Sequence, residues 1–292
     1  MVSARESSAV PPPSRLPRRP REAHKGIFGK IVLLAGSRRY GGAAALAAAG
    51  AGRGGAGLVV VATPASAGRT VRDGAPSRIV VSLPEDAEGR VAFPALRLLR
   101  SFEADAFVVG PGLDQSEDLS ALLARWLPEQ TIPVVLDADA LNLAAENRRI
   151  LEHPASAVRV LTPHPGEAAR LLGMTTEKVQ SDRPGAARAL ATSTGAVVVL
   201  KGHRTVVEDG HRQWTNLTGN PGMATGGTGD ILAGFLGALL LQGESDPFDA
   251  ACLAVHLHGR AADLARDRVG ETALLPEDIL VDLPRALLEA RS

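Results

Sequence analysis

The run Val134-Val135-Leu136 passes directly into Asp137-Ala138-Asp139-Ala140-Leu141-Asn142. An apolar stretch without polar alternation reads as a strand covered on both faces, the kind found in parallel sheets between two layers of helices. The polar motif begins where such a strand ends. In an open parallel sheet the C-terminal strand ends share one edge, and ligands bind in the crevice there. Asp137 or Asp139 also suits a plainer task, capping the helix that follows.

The pattern repeats outward in both directions. Val108-Val109 runs into Gly110-Pro111-Gly112-Leu113, Leu161 into Thr162-Pro163-His164-Pro165-Gly166-Glu167, and Leu200 into Lys201-Gly202. Strands are expected at residues 31–35, 58–62, 79–82, 107–109, 134–136, 158–161 and 197–200. Helices are expected at 43–52, 117–127, 166–172, 184–194, 230–242, 247–267 and 277–290. This alternation predicts an α/β fold whose mostly parallel central sheet is flanked by helices on both faces. Residues 205–208 and 212–215, joined by Asp209-Gly210-His211, read as a hairpin at the sheet's edge. There is no internal repeat and no dividing linker. Residues 25–292 are therefore expected to form one domain behind a disordered Pro/Arg-rich tail, residues 1–24.

Bulk properties narrow the function. With 32 basic and 32 acidic residues, the formal net charge is zero. No global field is available to hold nucleic acid or an anionic membrane, so any anion site must be local. The stretch 41–62, small and apolar, carries Arg53 and repeated glycines and does not read as a membrane span. Cys252 is the only cysteine, which excludes an intrachain disulfide and suits a reducing, cytoplasmic setting. Its run Ala250-Ala251-Cys252-Leu253-Ala254 favours a small buried hydrophobe over a catalytic thiol.

The local anion site is legible in Asn220-Pro221-Gly222-Met223-Ala224-Thr225-Gly226-Gly227-Thr228-Gly229-Asp230, which enters the apolar run Ile231-Leu232-Ala233-Gly234-Phe235-Leu236. A glycine-rich loop at a helix start leaves backbone N–H groups unpaired, and the helix dipole adds partial positive charge. Asp230 would repel an anion there unless it had work to do. One reading is a carboxylate that merely complements the dipole. The other is a general base that accepts a hydroxyl proton during attack on phosphorus. Gly52-Arg53-Gly54-Gly55-Ala56-Gly57 fits GxGxxG, but a helix precedes it and a strand follows, the reverse of a dinucleotide fingerprint. His256 and His258, two apart on a helix, cannot pinch one metal, and no Cys/His cluster suggests zinc.

Taken in order, these motifs resemble the NAD(P)H-hydrate dehydratases, a branch of the ribokinase-like superfamily related to the hydroxyethylthiazole kinases. The carriers are His24-Lys25-Gly26 with Gly29, Gly42-Ala43, Gly55-Ala56-Gly57-Leu58-Val59, Gly110–Leu113, Asp137–Asn142, Thr162–Glu167, Lys201-Gly202 and Gly222–Asp230, spanning residue 24 to about 290. The resemblance implies a ribokinase-like fold and a repair reaction on hydrated NADH or NADPH. The nucleotide, ADP in bacterial members of the family and ATP in eukaryotic ones, phosphorylates the ring hydroxyl, and phosphate is then eliminated. The Ala/Arg/Gly-rich composition favours ADP, and the chemistry calls for magnesium on the nucleotide. It implies Asp230 as base, with the amides around Gly227 and Gly229 holding the transferred phosphate. Ala43, Gly112, His164 and Asp230 would contact the hydrate. Lys201, Gly202, His203, Arg204, Thr205 and Gly229 would hold the nucleotide. A homotetramer is implied, with no dedicated protein ligands for the metal. Bifunctional members carry an epimerase domain in front, and that activity is expected to be absent here. Arg38 and Arg39 are further candidates for substrate phosphates, or ordinary surface arginines.

Two other functions share parts of this pattern. A vitamin-precursor kinase of the same superfamily would use the same base and helix start but stop at the phosphoester. A non-catalytic nucleotide-binding regulator would keep its function without Asp230.

Overall fold

The structure is a computed structural model that describes Leu16, residues 18–242 and residues 246–290. Residues 1–15 and 17, most of the expected tail, lie outside the described residues, as do 243–245 and 291–292. At the end of that tail Leu16 packs against the core, and the Arg19 guanidinium lies 3.8 Å from the centroid of the Phe28 ring.

Seven apolar runs pair into one parallel sheet. They are β1 (Lys30–Leu34), β2 (Leu58–Pro64), β3 (Ile79–Leu83), β4 (Ala106–Val109), β5 (Val134–Leu136), β6 (Arg159–Leu161) and β7 (Val197–Leu200). β8 (Val206–Glu208) and β9 (Gln213–Thr215) add antiparallel at one edge, as the hairpin reading expects. The order is β3-β2-β1-β4-β5-β6-β7-β8-β9. The chain leaves β1 toward one edge and returns on its other side as β4. That reversal is a topological switch point, where crevices open in doubly wound sheets.

Residue alternation along each strand divides the core between the two faces. Ile31, Leu33, Val108, Val135 and Val199 face α1 (Gly41–Arg53), α9 (Thr228–Leu239), α10 (Pro247–Val269) and α11 (Pro276–Glu289). Val32, Leu34, Phe107, Leu136 and Val198 face α4 (Glu117–Trp126), α5 (Asp139–Glu146), α6 (Pro165–Leu172) and α8 (Arg183–Thr194). Both layers are packed with buried apolar side chains, which is why the strands read as unbroken apolar runs. The expected helices are present with ends shifted by a few residues. α2 (Gly68–Gly74), α3 (Leu96–Leu99) and α7 (Thr176–Ser181) were not expected; each is seven residues or fewer, too short for a periodic signal.

α1 and α9 pack closely enough that a methyl at Gly234 would lie 1.8 Å from the Ala47 carbonyl oxygen. This contact seats the middle of α9 on the middle of α1, and Gly50 lets the Ile231 carbonyl approach in the same way. Cys252 is buried in α10, and burial pushes its thiol well above the ordinary range, which fits the small-hydrophobe reading. No helix among the described residues is long and apolar enough to cross a membrane.

Candidate active site

The loops after β1 and β4 meet at the switch point. Gly36 N–H donates to the Pro111 carbonyl at 2.8 Å. Gly112 then lies against the start of α1: a methyl added to it would sit 2.8 Å from the Ala43 Cβ and 2.6 Å from the Tyr40 carbonyl oxygen. Ala43 and Gly112, far apart in sequence, therefore share one wall. Arg38 is engaged elsewhere, donating to the Ala87 carbonyl at 2.8 Å and facing Glu85.

Across from this wall stands the start of α9. Its N-cap is Gly227, at φ 104°, a left-handed conformation costly for any residue with a Cβ. A Cβ there would also lie 2.6 Å from Leu46. Gly227 offers no side chain to the first-turn N–H groups, so they are left for a ligand. The loop before it is fixed from behind by α10. The Gly219 N–H donates to Asp263 at 2.9 Å, and the Asn220 amide donates to the Ala262 carbonyl at 2.9 Å. His258 of α10 is buried beside the Thr228 backbone with its Nε2 unpaired, and burial lowers its pKa to about 4, so the ring stays neutral.

Asp230 sits in the first turn of α9, and no hydrogen bond engages its carboxylate among the described residues. Burial, reinforced by Asp137 and Asp139 and opposed by Lys201, raises its pKa to about 7. A carboxylate poised there exchanges protons readily at neutral pH, as a general base must.

The sequence did not foretell what surrounds Lys201. Its Nζ lies 2.6 Å from Asp137 Oδ1 and 3.9 Å from Glu167 Oε2, and Thr162 Oγ1 donates to the same Asp137 oxygen at 2.7 Å. Lys201 is largely buried, and these carboxylates together with Asp230 outweigh burial and raise its pKa, keeping it charged. Glu167 is buried as well, and burial raises its pKa to about 7 against the pull of Lys201. A methyl at Gly229 would lie 3.5 Å from Lys201 Nζ, so the ammonium stands at the open start of α9.

His164 caps α6. Its Nδ1 accepts from the Gly166 and Glu167 N–H groups at 3.0 and 3.3 Å, and Glu167 Oε2 accepts from the His164 N–H at 2.7 Å. With Nδ1 an acceptor, the ring proton belongs on Nε2, which faces Glu167 Oε1 at 3.3 Å. Burial first, then Lys201 and Arg170, lower the His164 pKa and keep the ring neutral. His164 is thus an exposed, oriented ring at the edge of the crevice and has no lone pair free to act as a base. Gly202, His203 and Arg204 are exposed in the loop after β7, and Thr205 Oγ1 donates to the Gly202 carbonyl at 3.0 Å.

The residues proposed from sequence lie in the loops after β4, β6 and β7 and at the starts of α1 and α9. Asp137, Thr162 and Glu167 join them as the group behind Lys201. The available signal was a lysine placed directly after an all-apolar strand, where a cation needs a buried partner. No cluster of three His, Cys, Asp or Glu side chains among the described residues could cage a metal ion. Asp137 and Glu167 are turned toward Lys201.

A family model described as NAD(P)H-hydrate dehydratase matches residues 31–285. The chain is 42% identical to the bifunctional NAD(P)H-hydrate repair enzyme of Moorella thermoacetica, over 94% of this chain and 52% of that protein. It is 40% identical to the ADP-dependent (S)-NAD(P)H-hydrate dehydratase of Neisseria meningitidis serogroup B, over 87% of this chain and 83% of that one. The crystal structure of the Bacillus subtilis ADP/ATP-dependent NAD(P)H-hydrate dehydratase, co-crystallised with ATP and magnesium, superposes with a TM-score of 0.79 at 32% identity and covers 94% of this chain and 95% of that one. The chain spans about half the length of the bifunctional relatives it matches. With a family model spanning most of its length and relatives at this identity, the chain belongs to the NAD(P)H-hydrate dehydratase family.

Proposed function

We propose that this chain dehydrates the S epimer of hydrated NADH and NADPH in an ADP-dependent reaction, returning the normal dihydronicotinamide and releasing AMP and phosphate. One observation carries the reading: a carboxylate without hydrogen-bond partners among the described residues, with its pKa raised to about 7, stands in the first turn of a helix whose N-cap glycine offers no side chain. The first-turn amides take the transferred phosphate, and Asp230 takes the hydroxyl proton.

The chemistry then balances in two steps. The ring hydroxyl oxygen attacks the β-phosphorus of ADP while Asp230 accepts its proton; a P–O bond forms, and the bridging P–O bond breaks to release AMP. The carbon–oxygen bond of the new phosphoester then breaks. The neighbouring ring nitrogen's lone pair pushes, phosphate departs with the bonding electrons, and loss of the adjacent carbon's proton restores the double bond. The amides near Gly227 and Gly229 stabilise charge on the phosphoryl oxygens. Ala43, Gly112 and His164 shape the crevice for the hydrate. Residues 201–205 and Gly229 hold the nucleotide. Magnesium brought in with the nucleotide would supply charge neutralisation, while Lys201 and the first-turn amides of α9 are what this chain itself brings to the phosphates.

The same reading places the enzyme in the cytoplasm as a homotetramer. Val281 and Leu288, seven residues apart on α11 and 59% and 65% exposed, support an assembly that covers them.

Phosphorus NMR of a reaction containing NADH hydrate, magnesium and ADP tests the proposal. Inorganic phosphate and AMP appearing in equal amounts support a dehydratase. A persisting phosphoester would replace it with a kinase.

A further inference from the structure

We propose that Asp137 is a positioning residue that aims the Lys201 ammonium at the phosphoryl group held by the start of α9. The inference rests on the reading of that helix start as the phosphate site.

Asp137 is 1% exposed and follows directly on β5. Its position suggests a cap for α5, but it caps nothing: the N-cap is Ala138, and no side-chain bond closes the helix start. Ala138 itself is strained, at φ 48° and ψ −117°. Non-glycine residues adopt this region rarely, and strain of this kind collects where the surrounding structure demands a particular direction of the chain. The demand here is that the Asp137 carboxylate turn across the strand ends of β6 and β7. It meets Thr162 Oγ1 at 2.7 Å and Lys201 Nζ at 2.6 Å.

Lysine carries three N–H donors on a flexible stem. Asp137 engages one, and Glu167, 3.9 Å away, attracts a second. The ammonium also neighbours the α9 start, since a methyl added at Gly229 would lie 3.5 Å from Nζ. A buried ion pair contributes little to stability after desolvation, so folding alone is a poor reason for this arrangement. A cation fixed beside a helix N-terminus, by contrast, supplements the amides when charge builds on a transferring phosphoryl group. Thr162 completes the device by fixing the oxygen that Lys201 uses.

The sign of one substitution separates this role from its alternatives. If Asp137 were only a nearby negative charge, Asp137→Asn would tighten binding of an anion. As a positioning residue its loss weakens binding, because Lys201 then swings toward Glu167.

The experiment titrates ADP calorimetrically into wild type, Asp137→Asn, Lys201→Met and the double variant, with melting temperatures to confirm folding and kcat measured alongside. Each single variant is expected to lose about tenfold in ADP affinity, as for a charged hydrogen bond. In kcat each loses on the order of 100-fold, as for one donor of an oxyanion site. The double variant should be no worse than Lys201→Met. Thr162→Val, which leaves both charges in place, should show a smaller loss in the same direction and serves if Asp137→Asn does not fold. A folded Asp137→Asn that binds ADP as tightly as wild type or better overturns the proposal, and so do losses that multiply in the double variant. ADP binding needs no hydrate, so wild type that binds ADP without turning over the hydrate sinks the dehydratase reading while the variants still decide on Asp137. Wild type that binds no ADP overturns both.

Discussion

In the proposed reaction the chemistry narrows to one group, Asp230. Its pKa of about 7 stems from burial before charge, with Asp137 and Asp139 adding to the effect and Lys201 opposing it. As a base it must be unprotonated, so kcat/KM should fall about tenfold per pH unit below neutrality and level off above it. A pH series measures this limb. The same shift has a cost in stability. Between the unfolded and folded pKa values the folded state binds the extra proton, so this group's contribution to stability declines as pH rises from about 4 to 7 and is flat beyond. Asp230→Asn should therefore be inactive yet more stable than wild type at pH 8, by on the order of 1–2 kcal/mol after discounting for partial solvent contact, with the advantage vanishing below pH 4. Urea unfolding at the two pH values reads this out, and a variant destabilised at pH 8 would contradict it. The placing of Asp230 at a helix start was legible in the sequence because glycines precede an apolar run. Asp137 was legible as a strand-end residue, but its pairing with Lys201 was not. Its partner Lys201 lies 64 positions away, and only the side-by-side order of β5, β6 and β7 brings the two together.

At the scale of elements, the site depends on how α9 is seated. Gly234 lets α1 and α9 approach until an added methyl would overlap the Ala47 carbonyl. Backbone cannot yield as a flexible side chain can. Gly234→Ala should destabilise the fold by about 1–3 kcal/mol, the usual cost of overpacking. It should also raise the KM for ADP, since the start of α9 moves with the helix. Gly237 faces side chains instead of backbone: a methyl there would lie 2.5 Å from Val108 and 2.8 Å from Ile31, and side chains yield more readily than a helix backbone. Gly237→Ala should therefore be milder in both denaturation and kinetics. The strands were readable because burial on both faces leaves unbroken apolar runs. α2, α3 and α7 were not, since a helix of two turns or fewer shows no period in its sequence.

For the whole molecule, the two-layer architecture follows from the alternation of strands and helices, but strand order does not. Nothing local in residues 58–64 or 106–109 records that β1 lies between them, yet this placement creates the switch point where Ala43 and Gly112 meet. α11 presents Val281 and Leu288 outward. If a tetramer covers them, light scattering should give four times the chain mass, and Val281→Glu with Leu288→Glu should lower it while the folded spectrum persists. An unchanged mass would place the interface elsewhere.

The decisive measurement is recovery of the dihydronicotinamide absorbance band from NADH hydrate, with magnesium and ADP, by wild type and Asp230→Asn side by side. Recovery with wild type and none with the folded variant is the predicted result. Equal recovery with both would show that Asp230 is not the base, and no recovery with either, from folded protein, would remove the dehydratase function itself.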